Sequence, residues 1–263
     1  MPDTNDVRPE ADAFIESLAA KLRRHPKRIV FPDGEDERVL RAAEEMVRRE
    51  AVIPILLGRG EVIRGMAAEA GVDLEFVKIL NPSEASDLDL FCRRLVRIER
   101  YRGVELENAC EVVAQPYYFG AMMIQYGQAD GLVAGNSSVP SSVMRAVLRL
   151  VKPNPIVPRV YSATVLVGPG LSNFGKDGVL FMADTGVNDD LSVEQLAAIA
   201  VETGQFARHY LGRRARVALL SHSTMGSAST PAARKVAAAT ELARKQAASR
   251  QSKIEIDGEI QSD

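Results

Sequence analysis

The chain has no tryptophan, only two cysteines and three histidines, and its 33 basic residues nearly balance 35 acidic ones. Nucleic-acid binding is not indicated, because Lys and Arg are spread along the chain rather than gathered in a basic stripe. The histidines, His25, His209 and His222, lack the spacing of a zinc site. Neither Cys92 nor Cys110 belongs to a recognisable motif, so both are predicted to be buried or half-buried thiols in a reducing compartment.

Long apolar runs and several common catalytic motifs are also missing. No run reaches the ~18–20 apolar residues that a membrane-spanning helix needs, and the polar start MPDTNDVRPE does not resemble a signal peptide. A soluble, cytoplasmic protein without membrane contact is therefore predicted. Because no G-x-G-x-x-G follows an early strand and no G-x-S-x-G occurs, a nicotinamide cofactor and serine-hydrolase chemistry have little support.

What the sequence does contain is a regular alternation of strand-like and helix-like segments. The apolar run KRIVF at 27–31 precedes a helix-like stretch, and further apolar strands are expected at AVIPILLG, LEFVKILNP and 129–135. This alternation predicts an α/β fold with parallel strands. Helices are expected over 84–99, 105–127 and 192–211, and an antiparallel hairpin around the loop PGLSNFGKD.

Three prolines in the segment KPNPIVPR give the best candidate for a domain boundary, since they cannot continue a helix. The predicted organisation is a flexible tail over 1–10, a first α/β domain over 11–155 and an incomplete second α/β domain over 156–263. The last strand, IEIDGEI, is followed by only three residues. A parallel strand normally needs a helix to cover its face, so this one is expected to be an edge strand or the chain a fragment.

Two segments combine a strand, a Gly/Ser/Thr-rich loop and the start of a helix. They are ADGLVAGNSSVPSSVMRAVLRLV, at 129–151, and RVALLSHSTMGSASTPAARKVAAA, at 216–239. The start of a helix offers free backbone N–H groups and the positive end of the helix dipole, both of which favour a bound anion. Two such segments therefore predict a substrate with more than one phosphate group.

The first of these loops supplies five candidate substrate-binding residues. Asn136, Ser137 and Ser138 lie in the turn, Ser141 in the first helical turn, and Arg145 one turn further. Simple capping of the helix is the alternative interpretation, because Ser and Asn are favoured N-caps. One cap residue would suffice for that purpose, so a role in ligand binding is preferred.

The second loop is similar, and a third strand end adds two polar residues. The candidates in the second loop are Ser221, Ser223, Thr224, Gly226 and Ser227. The segment MADTGVN contributes Asp184 and Asn188 at the end of another predicted strand.

Two further patterns have competing interpretations. Asp33, Glu35, Asp36 and Glu37 are suited either to a divalent cation or to the N-terminus of a helix, and the helix is favoured. The segment GPGLSNFGKD nearly matches a phosphate-binding loop, but Asp177 replaces the metal-binding hydroxyl and a strand follows. A hairpin loop is therefore predicted there, and no metal site is expected.

Taken in order, five motifs resemble the phosphotransacetylase family, which comprises phosphate acetyltransferases and phosphate butyryltransferases. They are FPDGEDERVLRAA, ADGLVAG, FMADTGVN, LLSHSTMGSA and IDGEIQ. The same domain also occurs fused behind some malic enzymes. The resemblance implies two α/β domains with an interdomain cleft, a fold like that of isocitrate and isopropylmalate dehydrogenases, and a homo-oligomer, specifically a dimer.

The resemblance also implies an activity. Family members convert acetyl-CoA and phosphate into acetyl phosphate and CoA without a redox cofactor, so coenzyme A is a substrate. The CoA thiolate attacks acetyl phosphate with an aspartate as base, while arginines and serines hold the phosphate. Arg145 matches an arginine of this site and Ser141 a serine beside it, and the second loop matches the loop of the family's second domain.

The chain departs from the family pattern at several points. Full members continue past DGEIQ into a stretch that carries a Ser-Arg-Gly motif and the aspartate base, so the catalytic residues stay unassigned here. Glu99 stands where the family has an arginine, and Ser138 where many members have histidine. The alternatives to a phosphate acetyltransferase are a catalytically impaired module for CoA binding, regulation or dimerisation, a phosphate butyryltransferase and, more remotely, a dehydrogenase-like protein.

Overall fold

The computed structural model describes residues 9–103, 105–155, 157 and 159–262. The chain divides into two units. The N-terminal unit is Glu16–Lys152, and the C-terminal unit is Pro153–Asp263 together with the residues up to Ile15. Of the tail predicted over 1–10, the first eight residues lie outside the described part, whereas Pro9 begins the first helix.

The N-terminal unit contains one sheet of four parallel strands. The strands are β1 (Lys27–Phe31), β2 (Val52–Leu57), β3 (Lys78–Leu80) and β4 (Gly131–Leu132). Their order is β3-β2-β1-β4, and each neighbouring pair is parallel. The prediction of parallel strands joined by helices is therefore confirmed for this unit, although β3 and β4 are shorter than their apolar runs.

Seven helices precede, connect or follow these strands. They are α1 (Pro9–Leu22), α2 (Glu37–Arg48), α3 (Gly60–Ala70), α4 (Leu88–Tyr101), α5 (Ala109–Val113), α6 (Pro116–Gln125) and α7 (Pro140–Leu150). The single helix predicted over 105–127 is wrong, because the structure has α5 and α6 instead. Pro116 explains the break, since proline has no N–H to continue a helix but fits the first position of a new one.

Alternation along the central strands buries both faces of the sheet. Val30, Ile55 and Leu57 belong to the core on the side of α4 to α7. Phe31 and Leu56 belong to a second core, with side chains of α2 and α3. Because neighbouring residues of a strand point to opposite faces, this arrangement gives β1 and β2 the continuous apolar sequences expected for buried parallel strands.

The two cysteines do not match the prediction of free thiols. Cys92 in α4 and Cys110 in α5 form a disulfide, with their Cα atoms 4.9 Å apart. That separation lies within the range that a disulfide requires. The cysteines are 18 positions apart, and their proximity depends on how α5 packs against α4, which helical periodicity alone does not reveal.

The C-terminal unit contains two small sheets and two long helices. The elements are β5 (Ala163–Val167), β6 (Val179–Ala183), α8 (Val193–Leu211), β7 (Ala215–Leu220), α9 (Pro231–Ser249) and β8 (Ile254–Ile260). Strands β5 and β6 form the predicted antiparallel hairpin, and β7 pairs in parallel with β8. GPGLSNFGKD forms the hairpin loop, as predicted, rather than a phosphate-binding loop before a helix.

The ends of α8 show why the sequence indicated this helix so clearly. Ser192 and Gln195 form a capping box at its start, and Gly212 adopts a left-handed conformation at its end. Small residues of α8 and α9, such as Ala197 and Ala243, pack with β7 and β8 into one core. None of the helices described here is long and apolar enough to cross a membrane.

Candidate functional site

The strand order of the N-terminal unit identifies the most favourable place for a ligand. From β1 the chain proceeds through β2 to β3, and then returns to place β4 on the other side of β1. In open α/β sheets, ligands bind outside the carboxyl ends of the strands where the order reverses in this way. The loop that follows β4, residues 133–139, lies at this point and contains Asn136, Ser137 and Ser138. We call it the switch-point loop.

A buried carboxylate holds the switch-point loop. Asp33 lies just after β1 and is only 8% exposed. Its Oδ2 atom accepts hydrogen bonds from the backbone N–H groups of Gly135 (2.8 Å) and Asn136 (3.0 Å). Its Oδ1 atom accepts a hydrogen bond from Ser137 Oγ at 3.0 Å. Asp33 thus fixes the loop after the neighbouring strand, a role that the sequence analysis missed.

Hydrogen bonding keeps this carboxylate ionised. Burial on its own would raise the pKa of Asp33. Hydrogen bonding outweighs burial and lowers the pKa below its usual value, through Ser138, the N–H groups of Asn136 and Gly135, and the hydroxyl of Ser137. The Ser138 hydroxyl is close enough to affect this pKa, yet it is buried and forms no hydrogen bond of ordinary geometry within the described part of the chain.

The loop after β1 is itself fixed to the end of β2. Glu35 Oε1 accepts a hydrogen bond from the backbone N–H of Arg59 at 2.8 Å, and Glu35 Oε2 lies 2.7 Å from Arg59 Nη2. Gly34 passes so close to β2 that a Cβ atom would lie 2.5 Å from the carbonyl oxygen of Leu57. Only glycine fits there without a backbone shift, and Asp33 is consequently held in place.

The other acidic residues of this segment serve the start of α2. Asp36 is the N-cap and accepts a hydrogen bond from the N–H of Arg38 at 2.9 Å, while Glu37 pairs with Arg41. The interpretation as a helix N-terminus is confirmed for these two acids. Arg38 also donates to the carbonyl oxygen of Asn136 at 3.0 Å, which adds a second link to the switch-point loop.

The helix that follows the switch-point loop begins without a side-chain cap. Val139 occupies the N-cap position of α7 and Pro140 the first helical position, and no side-chain hydrogen bond caps the helix. The alternative that the Asn and Ser residues merely cap this helix is therefore wrong. The N–H groups of Ser142 and Val143 donate to the carbonyl of Val139. Because no side chain covers the start of the helix, its positive end stays available to an anion.

Two arginines of α7 have different surroundings. Arg145 is exposed, follows Ser141 by one helical turn, and makes no ion pair among the described residues. Arg149, one turn further, lies 2.8 Å from Glu99, whose side chain is 3% exposed. Glu99 therefore neutralises Arg149 inside the protein, whereas the charge of Arg145 is available at the surface beside the uncapped end of α7.

The second predicted loop, residues 221–230, is arranged around another buried carboxylate. Glu259 in β8 is 4% exposed, and Ser223 is fully buried beside it. Glu259 Oε1 accepts hydrogen bonds from Ser223 Oγ at 2.6 Å and from the N–H of Gly226 at 2.8 Å. The hydrogen bond from Ser223 and then that from Gly226 lower the pKa of Glu259 against the opposing effect of burial.

Most remaining polar groups of this second loop bond to one another. Ser227 Oγ accepts from the N–H of Thr224 at 3.0 Å, and the N–H of Ser221 donates to the carbonyl of Ile260 at 2.9 Å. Gly226 has a φ of 81°, a left-handed conformation that favours glycine. Unlike α7, helix α9 is capped, because Thr230 accepts a hydrogen bond from the N–H at its third position.

The third candidate group forms a closed turn after β6. Asp184 accepts hydrogen bonds from the N–H and hydroxyl of Ser162 and from the N–H groups of Gly186, Val187 and Asn188. Asn188 also donates its amide to Asp184 and, at 2.9 Å, to the carbonyl of Val160. Although burial opposes it, this hydrogen bonding lowers the pKa of Asp184 well below its usual range.

The structure therefore brings the predicted residues together in three groups. Asn136, Ser137, Ser138, Ser141 and Arg145 meet at the switch point of the N-terminal unit, with Asp33 and Arg38 as the missed members. In the C-terminal unit, one group lies at the ends of β7 and β8 and the other at the end of β6. Among the described residues, no group of three or more His, Cys, Asp or Glu side chains is arranged to hold a metal ion.

Fold and site together define an α/β protein in which a polar loop and an uncapped helix start lie at the switch point of a parallel sheet. Comparison with known families matches residues 13–263 to the family described as "Phosphate acetyl/butaryl transferase". The chain belongs to this family of phosphate acyltransferases. The resemblance inferred from the five motifs is thereby confirmed, and the match favours a transferase over a dehydrogenase-like protein.

Individual relatives agree with this assignment. The chain is 36% identical to the phosphate acetyltransferase of Thermoanaerobacterium thermosaccharolyticum over 251 residues, which is 95% of this chain and 74% of the relative. It is also similar to the EutD phosphotransacetylase of Staphylococcus aureus, with 31% identity, a TM-score of 0.83 and coverage of 96% and 73% of the two chains. A phosphotransacetylase from Streptococcus pyogenes gives 30% identity and a TM-score of 0.84, with coverage of 95% and 73%.

Proposed function

We propose that this protein transfers an acetyl group between coenzyme A and inorganic phosphate. In the direction of CoA acylation, the thiolate sulfur attacks the carbonyl carbon of acetyl phosphate, the C–O bond to the phosphate breaks, and its electron pair leaves with the phosphate oxygen. The observation that carries the proposal is the membership of residues 13–263 in the phosphate acyltransferase family. The uncapped start of α7 at the switch point, with Arg145 on the same helix, supplies a chemical reason for an anionic substrate.

The switch-point loop is the proposed site of the reacting phosphate or of a phosphate of CoA. Ser138 and Ser141 provide hydroxyl donors, and Arg145 provides a positive charge that no described residue neutralises. The N-terminus of α7 adds its dipole to the same region. Donors that are already oriented stabilise the negative charge that builds up on the leaving phosphate, and this is usually a large part of catalysis in such reactions.

The second loop is proposed to contact the substrate through its exposed members. Thr224 and Ser227 are exposed, whereas Ser223 is buried against Glu259. We therefore assign direct contact to Thr224 and Ser227, and a shaping role to Ser221, Ser223 and Gly226. Asp184 and Asn188, whose polar atoms bond to their own turn, shape the end of β6 in the same way.

None of the carboxylates that organise these three groups is proposed as the catalytic base. The pKa values of Asp33, Asp184 and Glu259 are all lowered by hydrogen bonds. A carboxylate whose pKa is lowered, and whose oxygens already accept several hydrogen bonds, is a weak proton acceptor near neutral pH. The group that removes the proton of the CoA thiol is therefore left unassigned among the residues described.

The location, oligomeric state, small-molecule partners and domain bounds are also proposed, from membership in the family. The protein is proposed to act in the cytoplasm as a homodimer, with CoA, acetyl-CoA, phosphate and acetyl phosphate as its small-molecule partners. Neither a metal nor a redox cofactor is part of the proposed reaction. Residues 11–155 and 156–263 are the proposed domains.

A turnover assay tests the proposed reaction directly. Arsenate replaces phosphate in such enzymes and gives an unstable acyl arsenate, so acetyl-CoA should be hydrolysed only when arsenate is present. CoA release is followed with a thiol reagent, and acetyl-CoA without arsenate is the control. Absence of CoA release at high protein concentration would contradict the enzymatic proposal for this chain.

A CoA-binding module without catalytic activity is the second candidate. It is favoured because Asp33, Asp184 and Glu259 all accept structural hydrogen bonds, so none of them is proposed as the catalytic base. Calorimetry with CoA separates the two: heat of binding without turnover supports the module, and no heat at millimolar CoA removes it. A comparison of kcat/KM for acetyl-CoA and butyryl-CoA distinguishes a phosphate acetyltransferase from a phosphate butyryltransferase.

A further inference from the structure

We infer that Asp33 is a positioning residue for substrate binding, acting through the switch-point loop rather than by contact with the substrate. The inference rests on the proposed function, since it concerns the site at which that function places the phosphate. Its basis is the set of three hydrogen bonds by which Asp33 reaches from the end of β1 to the loop after β4.

The sheet by itself does little to fix this loop. Strand β4 has only two residues, paired as Ile29 with Gly131 and Val30 with Leu132. One further backbone bond, from the N–H of Val133 to the carbonyl of Val30 at 3.0 Å, extends the pairing. Beyond that point, Asp33 is the acceptor that sets the direction of the chain into α7.

The charge of Asp33 argues for positioning rather than substrate contact. A carboxylate beside a phosphate is repelled by it, so an acid at this place needs another reason to be there. Its oxygens are buried and satisfied by Gly135, Asn136 and Ser137. Asp33 binds the N–H groups of Gly135 and Asn136, while Ser138 Oγ has no hydrogen bond of ordinary geometry among the described residues and the start of α7 is uncapped.

The same two strands provide a matched control at their other end. Asp130, just before β4, accepts hydrogen bonds from Arg28 in β1: from its backbone N–H at 2.9 Å, its Nε at 3.1 Å and its Nη2 at 3.0 Å. Both aspartates therefore link β1 to the segment around β4. Asp130 lies at the amino end of these strands, away from the switch point, so its removal tests general loosening of the sheet.

The test compares CoA binding by the wild type, Asp33→Ala, Asp33→Asn and Asp130→Ala, using calorimetry on the full chain. Loss of the charged acceptor of these three hydrogen bonds should release the loop, and we predict a Kd about ten- to a hundredfold higher for Asp33→Ala. Asp33→Asn should stay within about threefold, because an amide can turn its oxygen to the two N–H groups and its NH2 to Ser137 Oγ. Asp130→Ala should change the Kd by less than about twofold.

Hydrogen exchange of the Gly135 and Asn136 amides accompanies each titration. Faster exchange in Asp33→Ala, with slow exchange kept in Asp130→Ala, supports the inference. An unchanged Kd in Asp33→Ala would overturn it, as would equal weakening by Asp130→Ala or a failure of Asp33→Asn to restore binding. If Asp33→Ala does not fold, Asp33→Glu takes its place, because it keeps the charge and displaces the carboxylate by one methylene. This variant should bind CoA several-fold more weakly. An unchanged Kd would again overturn the inference.

The proposed function and this inference fail in different ways. If the wild type gives no heat with CoA, the proposed function fails and the inference fails with it. If the wild type binds CoA and Asp33→Ala binds equally well, only the inference fails.

Discussion

The switch-point loop and the second loop begin from the same sequence pattern and end in different states. Each loop follows a parallel strand and is bound by a buried carboxylate from the neighbouring strand or its end. Asp33 binds the switch-point loop, and Glu259 binds the second loop. In the second loop the polar groups bond to one another, and Thr230 caps the helix. In the switch-point loop the helix is uncapped and Arg145 is unpaired among the described residues.

This difference separates a loop that is internally satisfied from one that is ready for an anion. A helix start whose N–H groups already bond to a side chain offers little to a phosphate, because a ligand would have to replace that side chain. An uncapped helix start has no side chain to be replaced, so binding a phosphate there is favourable. Phosphate is therefore expected to bind more tightly to the N-terminal unit than to the second loop.

The largest expected effect is the loss of stability in Arg149→Ala, which distinguishes Arg149 from Arg145 on the same helix. Arg149→Ala leaves the buried Glu99 with only its longer ion pair, to Arg102 at 3.7 Å, and breaking a buried ion pair costs up to about 3–5 kcal/mol of stability. We expect a large loss in the free energy of unfolding, measured by urea denaturation, with the Kd for CoA of the folded protein unchanged. A weaker Kd in folded Arg149→Ala would show that the whole face of α7 binds ligand.

Arg145→Ala should produce the opposite result. Arg145 is exposed and makes no ion pair among the described residues, so its removal should leave stability almost unchanged. Loss of a charge-assisted hydrogen bond to phosphate should weaken binding by about 1.5–3 kcal/mol, measured by calorimetry with CoA and by the KM for phosphate. Unchanged affinity would mean that Arg145 only covers the surface.

Removing the cap of α9 should lower stability and expose the start of that helix. Thr230 accepts a hydrogen bond from the N–H of Ala233 at 3.2 Å, and loss of such a cap costs about 1 kcal/mol. Thr230→Ala is expected to lower the unfolding midpoint, while Thr230→Ser, which keeps the hydroxyl, should not. By the same reasoning, the uncapped α9 of Thr230→Ala should gain weak phosphate binding, measured by amide shifts of the second loop, and unchanged binding there would contradict the comparison between the loops.

Adding a cap to α7 is the converse change. Val139→Asp places a carboxylate at the uncapped start of the helix, beside its positive end, which should stabilise α7 by about 0.5–1 kcal/mol. The same carboxylate would occupy the place of the phosphate, so CoA binding should weaken while thermal stability rises. Val139→Thr, which can cap the helix without adding charge, separates the effect of the cap from that of the charge, and tighter binding in Val139→Asp would contradict the proposed site.

The smallest effect concerns pH. Because the pKa of Asp33 and that of Glu259 are both lowered, their contributions are complete above the usual carboxyl pKa of about 4 and disappear only as the pH falls through the lowered values. Hydrogen exchange of both loops, corrected for the intrinsic pH dependence, should show constant protection between about pH 5 and 8. A step in protection within that range would contradict the ionised state of these anchors.

Much of this fold was predictable from local patterns. Apolar runs such as KRIVF identified buried parallel strands, and the polar residues just after such runs identified candidate loops. The break before Pro116 was visible in the sequence but was overlooked within an otherwise helical pattern. The pairing of Cys92 with Cys110 depends on helix packing, which no local pattern reports.

The anchors of the two loops were not predictable for a related reason. Asp33 bonds to a backbone N–H 102 positions away, and Glu259 to one 33 positions away. Both partners are determined by the order of strands in a sheet rather than by neighbouring residues. The acids were visible in FPDG and IDGE, but their roles became clear only once the adjacent strands were known.

The most direct test of the account is a titration of the isotopically labelled chain with inorganic phosphate, followed by NMR shifts of backbone amides. The account predicts that amides at and around Ser137, Ser138 and Ser141 shift first, at the lowest phosphate concentrations. Shifts confined to residues 223–228, with the switch-point loop unaffected, would contradict it.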